Sequence, residues 1–206
     1  MSPPPMAITT IWRGSNRAWN LPNILTYGRL LAVPAVVGCL FWSEVDAMRW
    51  TALGIFIIAA ITDFLDGYLA RALEQQSALG RMLDPIADKL LVSAVLMMLV
   101  ADHTIVSYSL GAAIVILCRE VLVSGLREFL AELKVSVPVS KVAKWKTTLQ
   151  LVALGFLIAG SAADRIIPGI TNVGLILFWF SALLTLYTGW DYLKAGVKHI
   201  IESDAQ

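Results

Sequence analysis

Six runs of predominantly apolar residues dominate the sequence, at about 24–42, 48–72, 84–101, 104–127, 144–161 and 170–193. At 1.5 Å per residue, each is long enough to cross a hydrocarbon core about 30 Å thick. Inside lipid no water satisfies a backbone N–H or C=O, so a spanning segment must be a helix or part of a closed barrel. The period-two alternation of a membrane barrel is missing, and the expectation is an all-α chain of six transmembrane helices. Composition agrees: 15% of the residues are charged and 58% are hydrophobic, where soluble domains carry about 25% charge. The first run is too long, and too weakly basic in front, for a cleaved signal peptide, and is expected to stay.

The breaks carry turn residues: Ser43 to Arg49, Ala101 to Thr104, Lys134 to Lys141 with Pro138, and Ser161 to Gly169 with Pro168. Six spans put both termini on one side. Placing them in the cytoplasm gathers Arg13, Arg17, Arg71, Arg81, Lys134, Lys141, Lys144, Lys194 and Lys198 inside and leaves only Arg49 and Arg165 outside. The expected location is therefore integral in a membrane, with both termini facing the cytoplasm. Residues 1–20 read as a tail in which Ile8, Ile11, Trp12 and Trp19 with Arg13 and Arg17 suit a short interfacial helix. Residues 21–196 read as one membrane domain, and 197–206 as a cytoplasmic tail. A formal charge of +1, from 16 basic and 15 acidic residues, gives no field to recruit nucleic acid. Cys39 and Cys118 sit in apolar runs and read as small packed residues rather than a disulfide or metal pair.

Acids interrupt this apolar pattern in one place. Asp63 and Asp66 lie one turn apart near the cytoplasmic end of the second helix, and Asp84 and Asp88 one turn apart at the start of the third. The topology brings both pairs to one depth, where four carboxylates repel one another unless cations or donors join them. A divalent metal bound by oxygen, magnesium or manganese, is the economical partner; His103 and His199 lie outside the cluster, which argues against zinc. Two other readings stand beside it: aspartates paired with arginines to fix helix packing, and an ion pathway through the membrane. Gly67, Ala70 and Gly80 remove bulk near the acids, for a large ligand or for close helix packing. Pro85 reads as a first-turn residue of the third helix, and Tyr68 as packing. Arg71 can oppose an anion or anchor the helix at the headgroups. Metals beside an arginine suit a polyphosphate, and six spans suit one whose acyl chains stay in the bilayer.

The run Asp63-Phe-Leu-Asp66-Gly67-Tyr-Leu-Ala70-Arg71, eight residues, then Gly80-Arg-Met-Leu-Asp84-Pro-Ile-Ala-Asp88 resembles the complete signature of the CDP-alcohol phosphatidyltransferases. The resemblance implies that family's six-helix membrane fold in a homodimer. It implies transfer of a phosphatidyl group from a CDP-linked lipid to an alcohol with release of CMP. It also implies two divalent ions, Mg2+ or Mn2+, held by Asp63, Asp66, Asp84 and Asp88, with Asp88 as general base. Gly67, Ala70, Arg71 and Gly80, with Asp66, would surround the cytidine diphosphate. Asn23 and Arg29 are candidates to approach the nucleotide from the first helix, with capping and headgroup roles as the alternatives.

Farther on, Arg119-Glu120 with Arg127 in the fourth helix, then Lys141-Val-Ala-Lys144-Trp-Lys146-Thr-Thr-Leu-Gln150, and the opening Asn20-Leu-Pro-Asn23-Ile-Leu-Thr26-Tyr-Gly-Arg29 resemble the branch of the family whose acceptor is sn-glycerol 3-phosphate. Arg119, Arg127, Lys144 and Lys146 are the residues expected to hold the acceptor phosphate, since a dianion needs charge-assisted hydrogen bonds. Glu120 is spaced to pair with Arg127, seven positions on. Donor and acceptor are then CDP-diacylglycerol and sn-glycerol 3-phosphate, joined by direct displacement; a phosphoryl-aspartate intermediate is the competing route. Inositol phosphate, serine and phosphatidylglycerol are the competing acceptors.

Overall fold

The computed structural model describes residues 21–72, 78–132 and 141–204, with side chains left out at some helix-end positions. Six helices follow one another: α1 (Leu21–Phe41), α2 (Asp46–Ala72), α3 (Ala78–Ala101), α4 (Ser109–Glu132), α5 (Lys141–Asp164) and α6 (Ile170–Asp204). The described residues contain no strand. Four of the helices are long and apolar enough to cross a membrane, over Asn23–Phe41, Ser109–Ala131, Trp145–Asp164 and Ile170–Lys194. α2 and α3 match them in length but carry the aspartates.

α1 packs on α2 and α3, α5 on α6 and α2, and α4 on α6. The core runs through Val36, Phe56, Leu91, Val95, Ile116, Leu154, Leu157 and Phe178, all nearly inaccessible. Lipid tails are as apolar as leucine, so burial alone does not drive helices together; close backbone approach does. Small residues accordingly line the seams: Ala52, Ala59, Ala112, Ala153 and Ala182 are buried. A Cβ on Gly174 would come within 3.0 Å of Leu157, and one on Gly196 within 3.0 Å of Leu126. Leu31, Ile58, Met97 and Trp190 point outward and are more than half exposed, as side chains facing lipid or another chain do.

At the end of the bundle opposite the aspartates, Arg49 ties three segments together. Its guanidinium is buried and donates to Ser43 O at 3.0 Å, Ile158 O at 3.2 Å, Thr104 Oγ1 at 3.2 Å and Asp102 Oδ2 at 2.5 Å. The carbonyls are available because α5 is broken at Gly160 (φ 42°, ψ −126°), and a helix break orphans the carbonyls of the preceding turn.

Several boundaries differ from those expected. α3 begins at Ala78, so Pro85 lies in its eighth position rather than its first turn. The carbonyl of Pro85 accepts from Lys89 Nζ at 2.9 Å. α4 begins at Ser109 because His103 (φ 60°) and Ser107 (φ 52°) hold the chain in a left-handed turn. α6 continues through residues 194–204. Cys39 is half-buried, but Cys118 lies exposed on α4, which corrects its reading as a packed residue. The expected interfacial helix at 8–19 and the Lys134 to Pro138 break lie outside the described residues, apart from Lys141, which begins α5.

Candidate active site

α1 supplies a polar face inside an apolar helix. Asn23, Thr26 and Arg29 are three residues apart, share one side, and are 2%, 1% and 1% exposed. That side meets the acids. Arg29 Nη1 lies 2.7 Å from Asp63 Oδ1 and also bonds Asp88 Oδ1, so one guanidinium joins α1, α2 and α3. Thr26 Oγ1 donates to Asp84 Oδ1 at 2.6 Å. Gly80 is buried in the first turn of α3. Asp63 and Asp88 thus converge on one nitrogen, and Asp84 is held one turn away from Asp88 on α3. The side chains of Asp66, Tyr68, Ala70, Arg71 and Lys144, and the surroundings of Gly67, lie outside the described set.

The convergence bears on metal binding. Asp63 and Asp88 offer hard oxygen donors to one point and remain 39% and 45% exposed at the side chain. That donor set fits a hard divalent cation, which takes carboxylate oxygen and keeps waters. The described residues contain no group of three acidic, histidine or cysteine side chains suited to a metal. In this structure the positive charge between the pair is Arg29, so arginine pairing, the packing alternative, accounts for two of the acids.

The basic residues assemble on α4 and α5. Glu120 bonds Lys146 Nζ and accepts from Arg119 Nη1 at 3.3 Å. Arg119 Nη2 reaches Thr188 Oγ1 of α6 at 3.3 Å, and the stem of Arg119 lies on Gly189, where a Cβ would come within 2.9 Å of Cγ. The expected Glu120–Arg127 pair does not form. Glu120 turns to α5 instead, where Lys146 is 3% exposed and needs a counter-charge, while Arg127 is exposed with its Cζ 5.8 Å from the centre of the Tyr192 ring. Two cations sharing one carboxylate leave the cluster net positive.

A cavity of about 1180 Å³ connects these groups: Arg29, Asp63 and Asp88 line it, as do Arg119, Arg127 and Lys146. Its remaining wall is largely apolar, from Leu53, Phe56, Ile57 and Phe156 among others. Acids, bases and an apolar wall in one space suit a ligand with a charged head and a hydrocarbon body. Thr26 and Gln150 stand in the sequence only as members of the two stretches that carry the resemblance, with no role assigned to them; Thr26 was detectable as the polar residue midway between Asn23 and Arg29, and Thr188 is a lone neutral residue with no local signal.

The profile of the CDP-alcohol phosphatidyltransferases matches residues 19–187. A Rickettsia bellii protein named CDP-diacylglycerol--glycerol-3-phosphate 3-phosphatidyltransferase is 47% identical over 180 residues, covering 87% of this chain and 97% of that one. Proteins of the same name from Cereibacter sphaeroides and Shigella flexneri serotype 5b are each 38% identical, over 88% and 89% of this chain and 97% and 98% of their own lengths. Transferases of this kind generally depend on a divalent metal. The four aspartates at their signature spacing, the length of the match and the identity to these relatives have one explanation: the chain belongs to the CDP-alcohol phosphatidyltransferase family.

Proposed function

We propose that this chain transfers the phosphatidyl group of CDP-diacylglycerol to sn-glycerol 3-phosphate, giving phosphatidylglycerophosphate and CMP. The observation that carries the reading is the single cavity lined by both Asp63 and Asp88 and by the Arg119–Glu120–Lys146 cluster. The names of the relatives in Rickettsia, Cereibacter and Shigella support it.

Asp63, Asp66, Asp84 and Asp88 would hold two divalent ions, Mg2+ or Mn2+, which neutralise the diphosphate of the donor. Asn23, Arg29, Gly67, Ala70, Arg71 and Gly80 form the nucleotide end of the site. Arg119, Arg127, Lys144 and Lys146 receive the acceptor phosphate, and Glu120 keeps Arg119 and Lys146 together when no anion is present. Asp88 takes the proton of the acceptor's primary hydroxyl. That oxygen attacks the lipid-linked phosphorus, the bond to the CMP oxygen breaks, and CMP leaves. With the four carboxylates assigned to metal and base, none remains as a nucleophile, which favours direct displacement over a phosphoryl-enzyme.

The same reading gives six membrane spans in residues 21–196, both termini and the site on the cytoplasmic side of a bacterial inner membrane, 1–20 and 197–206 as flanking segments, and a homodimer. The test is purified protein with CDP-diacylglycerol, magnesium and each of glycerol 3-phosphate, inositol 1-phosphate, serine and phosphatidylglycerol in turn. Release of CMP with formation of a lipid bearing two phosphates, dependent on glycerol 3-phosphate, is expected. Equal CMP release without acceptor would indicate hydrolysis, and preference for another acceptor would overturn the assignment.

A further inference from the structure

We propose that Gln150 recognises the C2 hydroxyl of the acceptor, an inference that rests on the acceptor reading above. Gln150 is 3% exposed on α5, one turn beyond Lys146 on the same face, and it lines the cavity that Asp88 and Lys146 also line. Its Oε1 is fully buried and has no hydrogen-bond partner. A buried amide oxygen without a donor is costly, and natural proteins leave few such groups unless something else supplies the partner.

Lys146, Thr147 and Thr148 of α5 and Lys89 and Ser93 of α3 line the same cavity and carry donors, yet none of them bonds Gln150 Oε1, and Leu151, Val152, Leu91 and Val92 have no donor to offer. The acceptor does. sn-Glycerol 3-phosphate has three polar positions: a phosphate suited to Arg119 and Lys146, a primary hydroxyl that must reach Asp88, and a neutral secondary hydroxyl between them. A primary amide both accepts and donates without charge. It therefore grips a hydroxyl in a membrane-embedded site without competing for the phosphate or pairing with Lys146. A rival partner sits on α6, where the hydroxyls of Ser181 and Thr185 are also buried and unpartnered. α6 runs antiparallel to α5 with Gly174 against Leu157, which brings Ser181 level with Gln150. A purely structural Gln150 would bond there and be indifferent to the acceptor.

The experiment compares kcat/KM for sn-glycerol 3-phosphate and for 3-hydroxypropyl phosphate, which lacks only the C2 hydroxyl, in wild-type protein and in Gln150→Met and Gln150→Leu. The wild type is expected to prefer glycerol 3-phosphate about tenfold, as loss of one hydrogen bond to a buried group predicts. Both variants should bring the ratio close to one, chiefly by losing glycerol 3-phosphate use, with KM for CDP-diacylglycerol unchanged. The ratio is internal to each preparation, so a reduced folded fraction cancels. Equal use of the two acceptors by the wild type overturns the inference without any variant. A wild-type preference that survives in Gln150→Met also overturns it and leaves the helix-packing role. Wild-type protein that makes no phosphatidylglycerophosphate overturns the acceptor reading itself, and this inference with it.

Discussion

Gly160→Ala should be among the most damaging single-methyl additions in the protein. Two independent costs meet there. At φ 42° and ψ −126° the backbone lies outside every region open to an L-residue, which costs about 1–3 kcal/mol. The new Cβ would also fall well inside 3.0 Å of Arg49 Nη1 and 3.2 Å from its Cζ. That guanidinium cannot step aside freely, because it is fixed by Ser43 O, Ile158 O, Thr104 and Asp102, and both partners of the Arg49–Asp102 pair are 5% exposed at the side chain. Pushing it away strands a buried carboxylate, a change that costs about 3–5 kcal/mol. The two together come to about 4–8 kcal/mol. For a chain of this length roughly 2–4 °C accompanies each kcal/mol, so the temperature at which half the detergent-solubilised protein remains monodisperse should fall by about 10 °C or more. Gly155→Ala on the same helix is the control, since its Cβ would meet only Leu53 Cδ1 at an ordinary 3.6 Å, and it should change little. A Gly160→Ala protein within about 3 °C of wild type would refute the idea that the Arg49 node locks the break in α5.

Asp88→Asn should keep the donor KM within a few-fold yet lose about 10²–10⁴ in turnover, as removal of a general base does; near-normal turnover would remove Asp88 from that role. Lys146→Met should raise the KM for glycerol 3-phosphate about 10- to 100-fold, the loss expected for one charge-assisted bond, while donor binding is spared; an unchanged acceptor KM would sink the phosphate assignment. A chelator should abolish CMP release and added Mg2+ or Mn2+ should restore it, whereas full activity in the chelated protein would exclude a metal from the reaction. Single cysteines near Arg13, Gln75, Val137 and Ser203 should label from one face of sealed vesicles and those near Glu44, Asp102 and Asp164 from the other; N- and C-terminal positions on opposite faces would refute six spans.

The helices were legible because lipid imposes a length on an apolar run, and length survives without knowledge of the neighbours. Their ends were less so. Hydropathy places the start of the third span at Asp84, but a helix extends as far as its backbone bonds do, and Gly80 and Arg81 continue α3 beyond the apolar run. The same reasoning hid the last turns of α6, whose Lys194, Lys198 and Glu202 break the apolar pattern without breaking the helix. His103 and Ser107 delayed α4 because nothing in their side chains announces a positive φ.

In the site, spacing along one helix showed which acids share a face but not which group faces them. Asp63 and Asp88 come from different helices, and the residue that joins them, Arg29, comes from a third. Its role follows from α1 packing on both α2 and α3, a tertiary fact with no local period. Glu120 makes the same point in reverse. Seven residues is a helical repeat, so Arg127 was a reasonable partner; yet a surface pair on one helix is worth only a few tenths of a kcal/mol. Lys146, buried on α5, loses far more without a counter-ion, and it captures Glu120 of α4. Where a weak local pair and a buried long-range one compete for one carboxylate, the buried demand wins, so the charge network of a membrane site is set by packing and not by spacing. Gln150 is the neutral counterpart: it closes the stretch that begins at Lys141, but that its amide oxygen is buried without a partner is visible only once the helices are packed.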